Sequence, residues 1–191
     1  MATAVFPVGH GAGPFVLAQQ QEPAHHVVRR GRTPEQLGES EFGTWVLAHR
    51  RSTVTDLVAA GPEFGLPDIE QQVDGLLRRG LLVEVTDPAS FAERYRLAPL
   101  FVGLGNRPDD LEQFAIGVPG LEPLATVSSA AFELWQWGWV APSLWAHCEV
   151  LATIGEQEAD GPSTPDAQLG TVLGGLHSLL ENFVAFLDPV D

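Results

Sequence analysis

Two pairs of neighbouring residues, His25–His26 and His147–Cys148, carry the side chains best suited to metal binding or nucleophilic chemistry. Adjacent residues of a strand point to opposite faces of a sheet, so His25 and His26 are not expected to share a metal ion. Neighbours on a helix diverge by about 100°, which separates His147 from Cys148 in the same way. No Cys-x-x-Cys or His-x-x-x-His spacing accompanies either pair. The sequence therefore predicts no metal site, and Cys148 is interpreted as a small core residue.

Cofactor chemistry that depends on a lysine is excluded, because all ten basic residues of the 191-residue chain are arginines. Neither a Schiff-base lysine nor a phosphate-loop lysine is present. The glycine-rich run GHGAG (9–13) lacks that lysine and is interpreted as part of a flexible N-terminal arm, residues 1–13. Because no acid–base set or activated nucleophile is visible, we predict a non-enzymatic protein without cofactors.

The net charge of −15 is unevenly distributed, since residues 99–191 contain one arginine and thirteen acidic residues. A protein that neutralises phosphates should be basic where it binds them. The helix that would read DNA, within residues 67–79, carries Asp68, Glu70 and Asp74 in its first two turns. The charge therefore predicts a basic peptide or protein as partner and disfavours nucleic acid.

The location of the protein is predicted from what the chain lacks. No apolar run approaches the roughly 20 residues that cross a bilayer, and the first fifteen residues have no signal-peptide pattern. The single cysteine allows no internal disulfide. We expect a cytoplasmic protein with no membrane partner, and the sequence leaves open whether it forms a homo-oligomer.

The first half of the chain has the order of elements expected for a winged helix, with a helix-turn-helix inside it. Ser40 and Ser52 are candidate N-caps of its first two helices. The predicted elements are strands at 14–19 and 25–30, helices at 40–51, 52–60 and 67–79, and a strand at 81–85.

The second half repeats this order, which indicates a tandem duplication. EFGTWV aligns with AFELWQ, HVVR with FAIG, and PFVLA with LFVGL. The prediction is an α+β fold of two tandem winged-helix-like units that pack together. These are unit 1 (14–86), a linker (87–99) and unit 2 (100–191), the last with an acidic loop at 155–166.

Four of the five tryptophans lie in the segment FELWQWGWVAPSLW, residues 132–145. The alignment predicts that Trp45 and Trp135 are equivalent core residues. Trp139 follows Trp135 by four residues and is expected to be buried beside it. Trp137 points in another direction and is predicted to be the more exposed of the two, at an interface with a partner.

Residues 14–85 resemble the PqqD-like family of winged-helix peptide-recognition proteins. The motifs TVTDL, EFGLP and RRGLL fill the positions where the family has a helix start, a turn and a helix end. The resemblance implies that a leader peptide binds as an added strand, between a sheet edge and the third helix. If the run 25–30 is an edge strand, this mode gives a peptide-binding set of Val27, Val28, Arg29, Arg30, Gln71 and Gln72.

The function predicted from the sequence is that of a non-enzymatic peptide- or protein-binding accessory factor. The resemblance connects this function with leader-peptide recognition in a ribosomal-peptide modification pathway. Two alternatives stay open at this point. One is a helix-turn-helix transcription regulator, and the other is a structural subunit of a larger assembly.

Overall fold

The chain divides into two units, of which the first ends at Thr86 and the second begins at Asp87. The structure, a computed structural model, describes residues 3–15, 25–158 and 163–190. Both units combine α-helices with small antiparallel sheets. The predicted α+β class is therefore confirmed.

The first unit contains two separate antiparallel sheets. One sheet is an antiparallel meander of three strands, with β3 (His25–Arg30) in the centre. A bulge lies between Gly11 and Gly13 in the edge strand β2 (His10–Phe15). The other sheet joins the first and last strands of the unit. The strands are β1 (Val5–Pro7), β2 (His10–Phe15), β3 (His25–Arg30), β4 (Thr33–Leu37) and β5 (Leu82–Glu84).

The unit has three helices, namely α1 (Glu39–Ala48), α2 (Val54–Ala60) and α3 (Ile69–Arg78), with a 3-10 turn before α3. Helices α1 and α3 contact the strands, and α2 packs against these two helices. Their fully buried side chains include Leu57 and Leu76. The apolar residues recur at helical spacing, so one face of each helix contributes to the core.

The N-caps of α1 and α2 differ from those predicted. Gly38, and not Ser40, precedes α1, and its N–H donates to the Glu41 carboxylate at 3.1 Å. Thr53, and not Ser52, caps α2, since its hydroxyl accepts a hydrogen bond from the Asp56 N–H at 3.1 Å. Both predictions chose a serine, whereas glycine and threonine are also favourable at the N-cap position.

The second unit also has a three-stranded meander, and its first and last strands pair in a separate two-stranded sheet. Its strands are β6 (Tyr95–Pro99), β7 (Val102–Arg107), β8 (Asp110–Gly117), β9 (Ala125–Ser128) and β10 (Ala185–Pro189). Its helices are α4 (Pro88–Arg94), α5 (Ser129–Trp137), α6 (Leu144–Glu158) and α7 (Pro165–Glu181). Ser128 caps α5, since its hydroxyl accepts a hydrogen bond from the Ala131 N–H at 3.4 Å.

The five strands of each unit, β1–β5 and β6–β10, pair with one another in the same order. In each, an opening strand pairs with the closing strand, and a meander and three helices lie between them in the chain. Trp45 and Trp135 are both buried, and each indole N–H donates to the residue after the opening strand. These acceptors are the carbonyl oxygens of Val8 and Leu100, both at 3.2 Å.

The rings of the two tryptophans also lie over equivalent glycines of bulged strands. A Cβ on Gly11 would be 3.3 Å from the Trp45 ring, and one on Gly103 would be 3.2 Å from the Trp135 ring. Both bulges follow these glycines directly. A residue with a Cβ at either position would therefore require the neighbouring aromatic rings to shift slightly.

Two turns of the second unit hold phenylalanines where the first unit has glycines. Gly9 follows β1 at φ 99°, whereas Phe101 lies at φ 66° in the equivalent turn after β6. Phe183 lies at φ 55° two residues before β10, where the first unit has Gly80 at φ 68° two residues before β5. A left-handed backbone is unfavourable for a residue with a Cβ, so the second unit carries strain that the first avoids.

Two segments predicted to be irregular are parts of the folded units. Residues 3–13 of the predicted arm belong to the folded unit, because Val5 and Phe6 are buried and β1 pairs with β5, whereas residues 1 and 2 lie outside the described residues. Residues 87–99 are not a linker, because they form α4 and β6 and bury Phe91 and Leu97. The partners of both short strands lie far along the chain, so local sequence did not reveal them.

Two further boundaries are corrected. Of the predicted strand at 14–19, Pro14 and Phe15 form the end of a strand that begins earlier, at His10, and residues 16–19 lie outside the described residues. The predicted acidic loop at 155–166 is shorter, because α6 continues to Glu158 and α7 begins at Pro165. Residues 159–162 also lie outside the described part.

Among the described residues, none of the helices is both long enough and apolar enough to pass through a bilayer.

Candidate functional site

Helix α5 directs its aromatic residues to two different surroundings. Phe132 stacks between Phe114 and Trp135, with ring centroids 4.7 Å and 5.4 Å away. Trp137, two residues after Trp135, points away from this cluster and is 56 % exposed. An exposed indole is costly in water, which makes Trp137 a candidate for contact with a partner.

The prediction for Trp139 is wrong, because this residue is also 56 % exposed and is not buried beside Trp135. Since the two exposures are equal, the prediction that Trp137 is the more exposed of the two is wrong as well. Helix α5 ends at Trp137, and Gly138 takes the C-cap position. The Val140 N–H donates to the Trp137 carbonyl oxygen at 3.0 Å, which closes a turn. Trp139 therefore lies outside the helix, and the four-residue spacing does not bring it onto the face of Trp135.

Ser143 begins helix α6 by accepting a hydrogen bond on its hydroxyl from the Ala146 N–H at 3.1 Å. One face of α6 packs inward through Leu144, Cys148 and Ala152, all buried. A second apolar face consists of Ala146, Val150 and Ile154, which also recur every four residues. Helix α6 thus has more apolar surface than its own core covers.

The end of α5, the following turn and this second face of α6 enclose a groove of about 720 Å³, here named the α5–α6 groove. Its volume lies within the range of known ligand pockets. Its lining residues are Glu133, Trp137, Val140, Ala141, Pro142, Ala146, His147, Val150, Leu151 and Ile154.

Four apolar residues of the groove are about half exposed or more. The exposed fractions are 56 % for Trp137, 63 % for Val140, 52 % for Val150 and 46 % for Ile154. Single exposed apolar residues are common, but a cluster around a concave surface marks a binding site. The groove is therefore the candidate functional site.

His147 is the buried polar residue of the groove, at 5 % exposure. Its Nε2 is buried and has no hydrogen-bond partner among the residues that the structure describes. Burial lowers the pKa of the imidazole, so the ring is neutral at pH 7. His147 therefore adds no positive charge to the groove.

The charged residues near the groove are acidic. Glu133 lines it, and Glu149 on α6 accepts a hydrogen bond from the Trp145 indole at 3.1 Å. No lysine or arginine follows Arg107 in the sequence. The groove accordingly lies among carboxylates without basic neighbours on its own helices.

The predicted peptide-binding strand is not at a sheet edge. β3 pairs with β2 on one side and with β4 on the other, so its backbone groups are used within the sheet. Val28 is fully buried in the core and cannot contact a peptide. Val27, Arg29 and Arg30 lie on the same central strand, half-buried.

The other two predicted residues lie on α3, where Gln71 is exposed and Gln72 half-buried. On this side the edge strand of the sheet is β4, which among the described residues pairs with β3 alone. Arg79, at the end of α3, donates to the Gln36 carbonyl oxygen of β4 at 2.8 Å and to the Glu35 carboxylate at 3.1 Å. An added strand at β4 would have to compete with this arginine.

The histidine and cysteine pairs form no site of reaction chemistry. Cys148 is fully buried, as expected, and burial raises the pKa of its thiol to about 11. Such a thiol is almost entirely protonated at pH 7 and is a poor nucleophile. Within residues 3–15, 25–158 and 163–190, no three His, Cys, Asp or Glu side chains are grouped as metal ligands.

Sequence reasoning identified Trp137 but missed Val140, Val150 and Ile154. The signal for the last two was the spacing of Ala146, Val150 and Ile154, a second apolar stripe on a helix that already had one. That pattern shows excess apolar surface but not which stripe stays uncovered.

Comparison with protein-family models, with curated proteins and with solved structures finds no match for this chain.

Proposed function

We propose that this protein is a non-enzymatic factor that binds a peptide or a segment of another protein in the α5–α6 groove. The observation that carries the proposal is the half-exposed cluster of Trp137, Val140, Val150 and Ile154 around a concave surface. Tryptophan is enriched among residues that dominate binding energy, and apolar neighbours exclude water around it.

The composition of the groove favours a protein segment over a small metabolite. Sites for small polar molecules contain several convergent polar groups that fix the orientation of the ligand. Here the ionisable side chains of the lining are only Glu133 and His147. Apolar side chains of a peptide would fill such a groove without leaving many polar groups unpaired.

The first unit supports a connection with precursor peptides. Its three helices and closing strand occur in the order that the sequence suggested for a winged-helix unit, although four strands, and not two, precede α1. Together with the PqqD-like motifs of residues 14–85, this order supports recognition of a leader peptide as the physiological setting. On this proposal the protein is an accessory factor of a peptide-modifying pathway.

The test is selection of binding peptides from a phage-displayed random library on the immobilised full-length protein. Trp137→Ala is the variant for counter-selection, and Trp139→Ala is the matched control because both tryptophans are equally exposed. Neither substitution removes a buried side chain, so both variants should keep the wild-type melting temperature within a few degrees.

The proposal expects enriched peptides that bind the wild type and Trp139→Ala but lose affinity for Trp137→Ala by about tenfold or more. An enriched set that binds all three proteins equally, or no enrichment over an unrelated acidic protein, would contradict it. A large loss of stability in Trp137→Ala would also contradict it, because Trp137 would then be a structural residue.

A further inference from the structure

The walls of the α5–α6 groove restrict the conformation of any segment that it binds. All lining residues belong to α5, α6 or the turn 138–143 between them, so no strand edge borders the groove. A segment that enters it finds no row of backbone N–H and C=O groups with which to pair. Buried backbone groups need partners, and a helix is the conformation that supplies them within one segment.

The dimensions of the groove suit a short helix. Its apolar stripe runs along α6 from Ala146 through Val150 to Ile154, which corresponds to about 12 Å of helix. About two turns of a partner helix would lie along this length. Apolar residues at spacings of three and four would then meet the stripe and the Trp137 ring.

The charge around the groove favours basic residues on the part of such a helix that does not contact the apolar stripe. Glu133 lines the groove, Glu149 directly precedes the lining residue Val150 on α6, and no lysine or arginine follows Arg107 in the sequence. Acidic residues near an interface favour basic partners by attraction and disfavour acidic ones by repulsion. His147 is neutral at pH 7 and does not offset these carboxylates.

We infer that the occupant of the α5–α6 groove is a basic amphipathic helix of a partner protein or peptide. The inference rests on the proposed function and adds the conformation and charge of the bound segment. Apolar side chains of the helix contact Trp137, Val150 and Ile154, while lysines or arginines on its flanks lie near Glu133 and Glu149.

The test uses synthetic, fluorescein-labelled peptides of about four turns, long enough to form a helix on binding. The first peptide is a leucine–lysine amphipathic helix. The second has the same composition with prolines placed to prevent a helix, and the third has glutamate in place of every lysine. Fluorescence anisotropy with the full-length protein measures each dissociation constant.

The inference expects the first peptide to bind at least about tenfold more tightly than the second or the third. Trp137→Ala and Val150→Ser should each weaken its binding by a similar factor, whereas Trp139→Ala should not. The double substitution Glu133→Gln with Glu149→Gln should weaken binding and reduce its salt dependence. The matched pair Glu112→Gln with Glu122→Gln, also exposed, should change neither.

Equal binding of the first and second peptides would overturn the helical conformation, and equal binding of the first and third would overturn the charge. Binding of the first peptide that is unchanged in Trp137→Ala would show attachment elsewhere and overturn the inference as well. Library peptides that depend on Trp137 but are extended or acidic would leave the proposed function standing. A library that yields no peptides dependent on Trp137 would contradict both the proposed function and this inference.

Discussion

The indole N–H of Trp135 donates a hydrogen bond to the carbonyl oxygen of Val184 at 2.9 Å, which ties helix α5 to the residue before strand β10. The same N–H lies 3.2 Å from the carbonyl oxygen of Leu100, the residue after β6. One side chain thus joins α5 to both strands of the β6–β10 pair.

Replacing Trp135 separates the contribution of this N–H from that of the ring. Trp135→Phe should cost about 1 kcal/mol of unfolding free energy, because its hydrogen bonds are lost while the Val184 carbonyl oxygen keeps the Leu100 N–H as a donor at 2.8 Å. Trp135→Ala should cost about 3–5 kcal/mol, because it also leaves a cavity. Urea unfolding followed by circular dichroism measures both. Trp145→Phe is the control, since the Trp145 indole bonds only an exposed carboxylate among the described residues. Wild-type stability in Trp135→Phe would show that the hydrogen bond contributes nothing.

His49 makes the stability of the first unit depend on pH. The ring is 3 % exposed, its Nδ1 lies 3.0 Å from the Trp45 carbonyl oxygen, and burial lowers its pKa from 6.5 to about 4. Between these values the unfolded chain binds a proton that the folded chain does not. Stability therefore falls as pH falls through this window, by about 3 kcal/mol for the residue.

Urea unfolding at several pH values between 6.5 and 4 tests this dependence. His49→Gln should lack this part of the pH dependence, although it should be less stable than the wild type at pH 7. His25→Gln, a change at an exposed histidine, is the control. If His49→Gln and the wild type lose stability in parallel, the imidazole of His49 is not the cause.

Phe101 is a position where a smaller residue should improve the fold. Its backbone is left-handed at φ 66°, and its side chain is 49 % exposed, so it contributes little packing. Phe101→Gly should raise the unfolding free energy by about 0.5–1 kcal/mol, because glycine adopts this backbone without strain. Val102→Gly, at a strand position of similar exposure, should instead lower it by a similar amount. A loss of stability in both variants would indicate that the turn is not strained.

Duplex DNA should not bind this protein. Helix α3, which would enter the major groove in a helix-turn-helix, exposes Glu70 and Asp74. These carboxylates would face phosphates of the same sign. A fluorescence-polarisation titration with a labelled mixed-sequence duplex at near-physiological salt should show no binding. Sub-micromolar, sequence-dependent binding would favour the transcription regulator instead.

The elements that local sequence predicted well have strong patterns of their own. Phe42 and Trp45 recur at helical spacing in α1, as Phe132 and Trp135 do in α5, and these two helices start at the caps Gly38 and Ser128. The order of elements in both units could be predicted because each helix has an apolar stripe and a stop signal.

Pairing between distant strands could not be predicted in the same way. β1 has only three residues, and its partner β5 lies at the other end of the unit. The run 25–30 has a strand pattern, but nothing in that pattern shows whether the strand has one neighbour in the sheet or two, as β3 has in β2 and β4. Sheet order depends on where the whole chain places its strands, which composition and spacing do not contain.

The candidate site was predicted only in part for a similar reason. Trp137 could be singled out because helical geometry separates it from Trp135. Trp139 was misplaced because Gly138 ends the helix one residue before the spacing rule would apply. Which of two apolar stripes of α6 stays uncovered depends on the packing of α6 against other elements, and no local pattern records that packing.

The pairing of opening and closing strands has a mechanical consequence for each unit. In β6–β10 the outermost pair is Tyr95 with Pro189, so both ends of the pair leave from the same side. A force that pulls these ends apart breaks the hydrogen bonds one rung after another, as in a zipper, and does not load them together. The β1–β5 pair has three residue pairs and β6–β10 has five, so fewer successive ruptures separate the strands of the first unit than those of the second.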